Sequence, residues 1–395
     1  MSLPHLKKQI ILKKNEERRI VAGHPWVFSN EIRETKGNPA IGDVVELLAA
    51  NGLTLGVGFY NPHSLIAFRL ISKTIEEVGA SLFAKRITQA LALRKRLYPE
   101  SETFRLIYGE SDFLPGLIVD KYNNYLAVQT FSFGMDSRLT TICDALEQIL
   151  HPAGIVERNE APLRTLESLP LKKGILRGEA SPTTIIEHGI RYIVDLLGGQ
   201  KTGFFLDHRE NRATVWRFSK GANVLDCFCN QGGFALNAAR AGAASVLAID
   251  SSDEAIKAAT ANAELNGLSQ IRFEKGDVFE KLKELGASEA RYDVVVLDPP
   301  SFTKSKKNVQ TAKKGYKELH ASAFKILSEG GVLLTSSCSH HIEPEVFLDL
   351  VAETATRCGR QVQLLEWRGA APDHPVLPVA PETRYLKFGI FRAVA

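Results

Sequence analysis

The chain has 395 residues, 24% charged and 44% apolar, which is ordinary globular usage and excludes disordered and fibrous classes. No apolar run approaches the ~20 residues of a membrane helix, and the start lacks the apolar core of a secretory signal, so a cytoplasmic protein with no membrane partner is expected. The net charge of +4 points to no partner in particular, but residues 1–75 carry ten Lys/Arg against six Asp/Glu while the rest of the chain nearly cancels.

At ~150 residues per domain, two or three domains are expected. From Leu6 to Lys73, short β-type runs at Gln9–Leu12, Val44–Leu48, Leu55–Tyr60 and Ile66–Ile71 alternate with Gly and Pro, which reads as a small β-barrel or sandwich. A helix-period stretch over Ala80–Leu97 follows. Strands are then expected at Phe104–Tyr108, Gly116–Lys121, Tyr125–Thr130 and Gly154–Arg158, with a helix near Arg138–Leu150; this reads as an α+β module.

A hairpin-like pair, Thr184–His188 and Ile190–Asp195, opens the last zone. Short apolar runs at Val224–Asp226, Val246–Asp250, Ile271–Lys275, Val294–Leu297 and Val332–Ser336 then alternate with helix-period segments. That pattern predicts a doubly wound, mostly parallel sheet buried on both faces. The expected divisions are 1–74, 75–182 and 183–395.

In such sheets ligands bind at the carboxyl ends of the strands. The first of these strands ends in Asp226-Cys227-Phe228-Cys229-Asn230-Gln231-Gly232-Gly233-Phe234, where paired glycines let backbone approach a ligand and a helix begins. The spacing is neither G-x-G-x-x-G nor a Walker loop. The second strand ends at Asp250-Ser251, where an acid can accept from a ribose diol, and the third at Gly276-Asp277-Val278, which can address an adenine edge. Taken singly, Asp250 and Asp277 fit helix caps equally well. Together with the glycine loop they suit adenosine without phosphates, and so S-adenosylmethionine.

The fourth strand ends in Asp298-Pro299-Pro300-Ser301-Phe302, a stiff lip able to hydrogen-bond a planar base and stack on it. Residues 303–317 then carry six lysines (304, 306, 307, 313, 314 and 317) and no acid. This stretch reads as too polar for a core and suited to phosphates. The fifth ends in Thr335-Ser336-Ser337-Cys338-Ser339-His340-His341, a polar setting in which Cys338 is a candidate nucleophile. Cys143, Cys227, Cys229 and Cys358 read as small packed residues. With five cysteines in all and no paired Cys-x-x-Cys, neither a disulfide framework nor a metal site is expected.

Four ordered motifs carry a resemblance: Gln200-Lys201-Thr202-Gly203-Phe204-Phe205-Leu206-Asp207-x-Arg209-x-Asn211, Asp226-x-Phe228-Cys229-x-x-Gly232-Gly233-Phe234, Asp298-Pro299-Pro300-Ser301-Phe302 and Ser337-Cys338-Ser339. Together they resemble the ribosomal large-subunit methyltransferase I family, S-adenosylmethionine-dependent enzymes that form 5-methylcytosine in 23S rRNA. Gly23-His24-Pro25-Trp26-Val27-Phe28 is similar to that family's RNA-binding PUA domain.

The resemblance implies an N-terminal PUA-like β-barrel, a central α+β domain and a C-terminal Rossmann-like methyltransferase domain. It implies cofactor contacts at Gln200, Thr202, Phe204, Phe205, Asp207, Arg209, Asp226, Cys227, Phe228, Gly232, Gly233, Asp250, Ser251, Asp277, Val278 and Asp298. Cys338 and Asp298 would act in catalysis, and Pro299, Phe302, Lys304, Lys306 and Lys307 would meet RNA. His340 and Asp298 are the candidates for the base that removes the C5 proton. Asn230-Gln231 departs from the aromatic-Thr pair of many members.

Two other readings stay open on the residues. One is methylation of a guanine or adenine nitrogen, which needs no thiol. The other is a non-catalytic RNA-binding or assembly protein that keeps the fold. Oligomeric state is not read from the sequence, a homodimer being compatible with it.

Overall fold

Apolar residues spaced between turn formers make strands of the first 73 positions. The computed structural model describes residues 5–303 and 306–394, the side chain of Lys306 excepted. Its first sheet has six strands: β1 (Gln9–Leu12), β2 (Trp26–Val27), β3 (Ile32–Lys36), β4 (Val44–Leu48), β5 (Thr54–Tyr60) and β6 (Phe68–Ser72). The order is β2-β6-β5-β4-β1-β3, antiparallel except where β1 meets β4. Ile10, Leu12, Val27, Val45, Leu47 and Phe68 fill its core.

A second sheet of the order β11-β10-β9-β8-β7 is built from β7 (Thr103–Tyr108), β8 (Leu117–Tyr122), β9 (Tyr125–Thr130), β10 (Gly154–Asn159) and β11 (Lys172–Gly178). Helices Ala80–Leu97 and Leu139–Leu150 belong with it, burying Phe83, Ile87, Ile142 and Leu146 in one cluster with Leu106, Val119 and Val128. The α+β module expected from sequence is thus present, with β11 added. The expected hairpin forms as β12 (Thr183–Glu187) and β13 (Ile190–Val194).

The chain divides into two compact units. The first comprises Met1–Ile185, Val194–Leu206 and Pro372–Thr383; the second comprises Ile186–Ile193, Asp207–Ala371 and Arg384–Ala395.

The second unit is organised by a seven-stranded sheet: β14 (Asn223–Cys227), β15 (Ser245–Asp250), β16 (Ile271–Lys275), β17 (Tyr292–Leu297), β18 (Leu327–Ser337), β19 (Gln361–Arg368) and β20 (Lys387–Val394). Its order is β16-β15-β14-β17-β18-β20-β19. The first five strands run parallel; β20 is antiparallel to both β18 and β19. The chain winds outward from β14 in one direction to β15 and β16 and then returns to β17 and β18, so the strand order reverses between β14 and β17. A crevice opens at such a switch point, at the carboxyl ends that hold Asp226 and Asp298.

The parallel strands are apolar because both faces are covered. Leu225, Val295, Leu297 and Leu333 face one core cluster, and Val224, Val294, Val296 and Leu334 face another. One expectation is corrected here. The lysine-bearing stretch after Phe302 is not wholly outside the core, because helix Val309–Ile326 begins within it and buries Ala312, Tyr316, Leu319 and Ala323. Those positions recur at helical spacing, while Lys314 stays exposed.

Candidate active site

The loop after β14 is bent by its backbone. Phe228 (φ 64°), Asn230 (φ 47°) and Gly232 (φ 81°) all lie in the left-handed region, a conformation that costs non-glycine residues ~1–3 kcal/mol each and collects at functional sites. Tertiary hydrogen bonds hold it: Cys229 N donates to Ile249 O (3.0 Å), and Asn230 N donates to Asp250 Oδ2 (2.9 Å). A Cβ on Gly232 would meet Leu236 Cδ1 at 2.8 Å, and one on Gly233 would meet Arg212 Cδ at 2.4 Å. Both glycines are therefore required by close approach, and Gly232 by its φ as well.

Asp226 is fully buried. Its Oδ2 accepts from Ala235 N (2.9 Å), while Oδ1 has no hydrogen-bond partner among the described residues. Burial pushes its carboxyl well above the usual carboxylate range, and the charges of Asp298 and Asp250 add to that. Asp250 also accepts from Ser252 N through Oδ1 (3.0 Å). Asp277 is exposed and caps helix Val278–Gly286, accepting from Glu280 N (3.1 Å). Ser251 is exposed, whereas the side chains of Val278 and Cys227 are buried in the core, leaving only their backbone for any ligand.

An orphaned buried acid, a strained glycine loop and a backbone-fixed acid on the next strand suit a nucleoside cofactor at the ends of β14 and β15. Burial also raises the Cys227 and Cys229 thiols well above their ordinary value, which keeps them unreactive.

At the end of β17, Asp298 Oδ1 lies 3.3 Å from His208 Nε2 and accepts from Ser336 Oγ on β18. Burial opposes ionisation of Asp298, but the His208 charge and the two hydrogen bonds outweigh it and hold the carboxyl below its ordinary value. His208 is itself buried, its ring edge-on to Phe234 (5.9 Å) and Phe388 (6.0 Å). Neither His208 nor Ser336 was singled out by sequence, although His208 lies inside the Gln200–Asn211 motif.

Pro299 is buried. Phe302 is half-buried, with its ring 4.7 Å from Tyr316 and 6.1 Å from Phe279, so the lip is braced by helix Val309–Ile326. Cys338 directly follows β18 and is half-buried. Around it, Tyr316 OH donates to Ser337 Oγ (2.9 Å) and Lys387 Nζ donates to Ser339 O (2.7 Å). Lys307 is exposed; Lys304 and the side chain of Lys306 lie outside the described residues.

The Gln200–Asn211 motif is split between the units. Gln200, Thr202, Phe204 and Phe205 belong to the first, where Thr202 Oγ1 donates to Asp120 Oδ2 (2.6 Å) and Phe204 N donates to Tyr122 OH (3.2 Å). Gln200 is exposed, and Phe205 carries Lys201 Nζ 4.0 Å from its ring centroid. In the second unit Asp207 accepts from Tyr385 OH. Arg209 Nε lies 3.6 Å from Glu187 Oε2, and Arg212 pairs with Glu187 through two 2.7 Å bonds. Glu187, buried at the end of β12, was not foreseen.

Comparison with known proteins decides the family. A family model of PUA-like domains matches residues 10–73, and one of S-adenosylmethionine-dependent methyltransferases matches residues 172–389. "Ribosomal RNA large subunit methyltransferase I" of Shewanella denitrificans is 41% identical, with 96% of this chain and 98% of that protein covered. The protein of that name from Tolumonas auensis is 38% identical over 98% and 99%. The chain belongs to the ribosomal RNA large subunit methyltransferase I family.

The fold agrees with this. A Streptococcus mutans structure assigned as a SAM-dependent methyltransferase matches with a TM-score of 0.83 at 22% identity, and a methyltransferase complexed with SAH matches with 0.85 at 22%; each comparison covers 97% of this chain and 99% of the other. Membership makes this a methyltransferase whose cofactor is S-adenosylmethionine. Among the described residues no cluster of His, Cys, Asp or Glu is placed to hold a metal, and no helix is long and apolar enough to cross a membrane.

Proposed function

We propose that this family member methylates carbon 5 of a cytosine in large-subunit ribosomal RNA, with Cys338 as nucleophile and 1–74, 75–182 and 183–395 as its domain bounds. The observation that carries the reading is that a half-buried thiol and the Asp298 carboxyl sit at the carboxyl ends of adjacent parallel strands, β18 and β17, joined by the Ser336–Asp298 hydrogen bond. Methylation at a base nitrogen would give the thiol no role.

Asp226, the Phe228–Gly233 loop, Asp250 and Asp277 would hold S-adenosylmethionine, which supplies an electrophilic methyl group when bound. The ring needs help, since cytosine C5 is a poor nucleophile. A bond from Cys338 Sγ to C6 breaks the C5–C6 double bond and places its electron pair at C5. Asp298, as a carboxylate, accepts from the exocyclic amino group. Both of its protein contacts fall on Oδ1, so Oδ2 carries neither.

After C5 carries the methyl, loss of the C5 proton restores the double bond and expels the thiolate. His340 is suited to take that proton as a neutral imidazole: desolvation, then the charges of Lys387 and His341, lower its pKa. The base must leave its stack to be reached from its face, which single-stranded RNA loops permit at low cost.

The test is methyl transfer to 23S rRNA by Cys338→Ala, with nucleotide mapping by mass spectrometry. Loss of 5-methylcytosine supports the reading, and transfer at the wild-type rate refutes it.

A further inference from the structure

We propose that Lys387 is the fixed cation that sets the ionisation of the Cys338 thiol, a positioning residue that acts through the cysteine. As a catalytic device this rests on Cys338 being the nucleophile; as an ion pair it does not.

The antiparallel register of β20 on β18 puts Lys387 directly opposite Ser337, the residue before Cys338. The lysine is 4% exposed. Its ammonium donates to Ser339 O (2.7 Å) and Tyr385 O (2.8 Å), so one of its bonds holds the residue on the far side of Cys338. Lys387 thus grips the chain on both sides of the thiol, by strand register before it and by a hydrogen bond after it.

Among the described residues no carboxylate lies within ion-pair distance of Lys387. A buried ammonium whose hydrogen bonds go to carbonyl oxygens is costly, and a nearby thiolate offsets that cost. Burial brings the lysine down to about 8, with the Cys338 and Glu343 charges acting the other way and Arg384 adding to the fall. Interaction between two charges is reciprocal: whatever a thiolate at Cys338 does to keep Lys387 protonated, the ammonium does to keep Cys338 ionised.

Among the described residues, the titratable groups around the pair act differently from Lys387. His340 is held neutral by desolvation and by the Lys387 and His341 charges. The Tyr316 hydroxyl is pushed up to about 12 by burial, with Cys338 and Asp298 adding, and it donates to Ser337. Carboxylate charge at Asp298 or Glu343 acts against a thiolate. Among the described residues Arg384 is a further cation acting on Lys387, and Lys387 itself donates to Ser339 in the Cys338 segment.

The test measures iodoacetamide labelling of Cys338 in the full-length protein against pH, read by mass spectrometry of the Cys338 peptide. In Lys387→Met, labelling at pH 7 is expected to fall ~10-fold and to converge with wild type in alkali, because loss of a neighbouring positive charge raises a thiol pKa by about a unit or more. Lys387→Arg should stay within ~3-fold of wild type. Coincident profiles for Lys387→Met and wild type would overturn the proposal.

Should Lys387→Met not fold, the reciprocal measurement decides. Competitive acetylation of Lys387 at pH 7 should be several-fold faster in Cys338→Ala than in wild type, and an unchanged rate overturns the ion pair. RNA methylation by Cys338→Ala is scored separately, so failure of the nucleophile assignment and failure of the ion pair give different results.

Discussion

His208 Nε2 faces Asp298 Oδ1 at 3.3 Å, joining the chain just before β14 to the carboxyl end of β17. Burial opposes ionisation of Asp298, but the His208 charge and the hydrogen bonds from His208 and Ser336 outweigh it and hold the carboxyl below its ordinary value. A carboxyl depressed in the folded state contributes stability above its ordinary value of 3.8, and that contribution is lost as pH falls through the lower, folded value. The difference in urea unfolding midpoint between wild type and Asp298→Asn is therefore expected to be widest near pH 7 and to narrow below about pH 4.

Replacing Cys338 by Ala should abolish methyl transfer to RNA while leaving S-adenosylmethionine binding within ~2-fold of wild type by calorimetry, since no cofactor contact is assigned to the thiol. Transfer assays and titrations on one preparation check both halves.

Gly233→Ala places a methyl where Arg212 Cδ stands 2.4 Å away. The arginine must shift from Glu187 or the helix start must move. Destabilisation of ~1–3 kcal/mol and weaker cofactor binding are expected, measured by chemical unfolding and calorimetry.

Glu187 is buried and binds Arg212 through two 2.7 Å bonds. Glu187→Gln leaves the buried arginine without the Glu187 charge, at a cost of ~3–5 kcal/mol. Urea unfolding would show this. Glu187→Gln together with Arg212→Met should recover part of the loss.

Lys307 and Lys314 are exposed. Lys307→Glu with Lys314→Glu should weaken RNA binding and flatten its salt dependence, leaving S-adenosylmethionine affinity unchanged. Filter binding across a salt series distinguishes this from a general loss of fold.

Much of the scaffold was legible because its elements are bounded by local chemistry. Helix Ala80–Leu97 and strand Ile271–Lys275 form over the residues expected, and β14 to β18 could be read because strands buried on both faces must be continuously apolar. Two strands not expected from the sequence have weak local signatures. β2 is two residues long, and β19 is an exposed edge of mixed polarity. β20 has a clear local signature, since Phe388–Val394 is a largely apolar run with Lys387 at its head.

By itself the sequence determined the family and the cofactor, because glycine loops, Asp-Pro-Pro and a strand-end cysteine are local patterns that need no partner to be recognised. Only the tertiary structure decided which charges meet. The His208–Asp298 contact spans 90 positions of chain, Arg212 finds Glu187 across a hairpin turn and β14's approach, and Lys387 reaches the Cys338 segment only because β20 runs antiparallel to β18. Electrostatic coupling depends on distance through space and on burial, and neither is written in the spacing of residues along a chain.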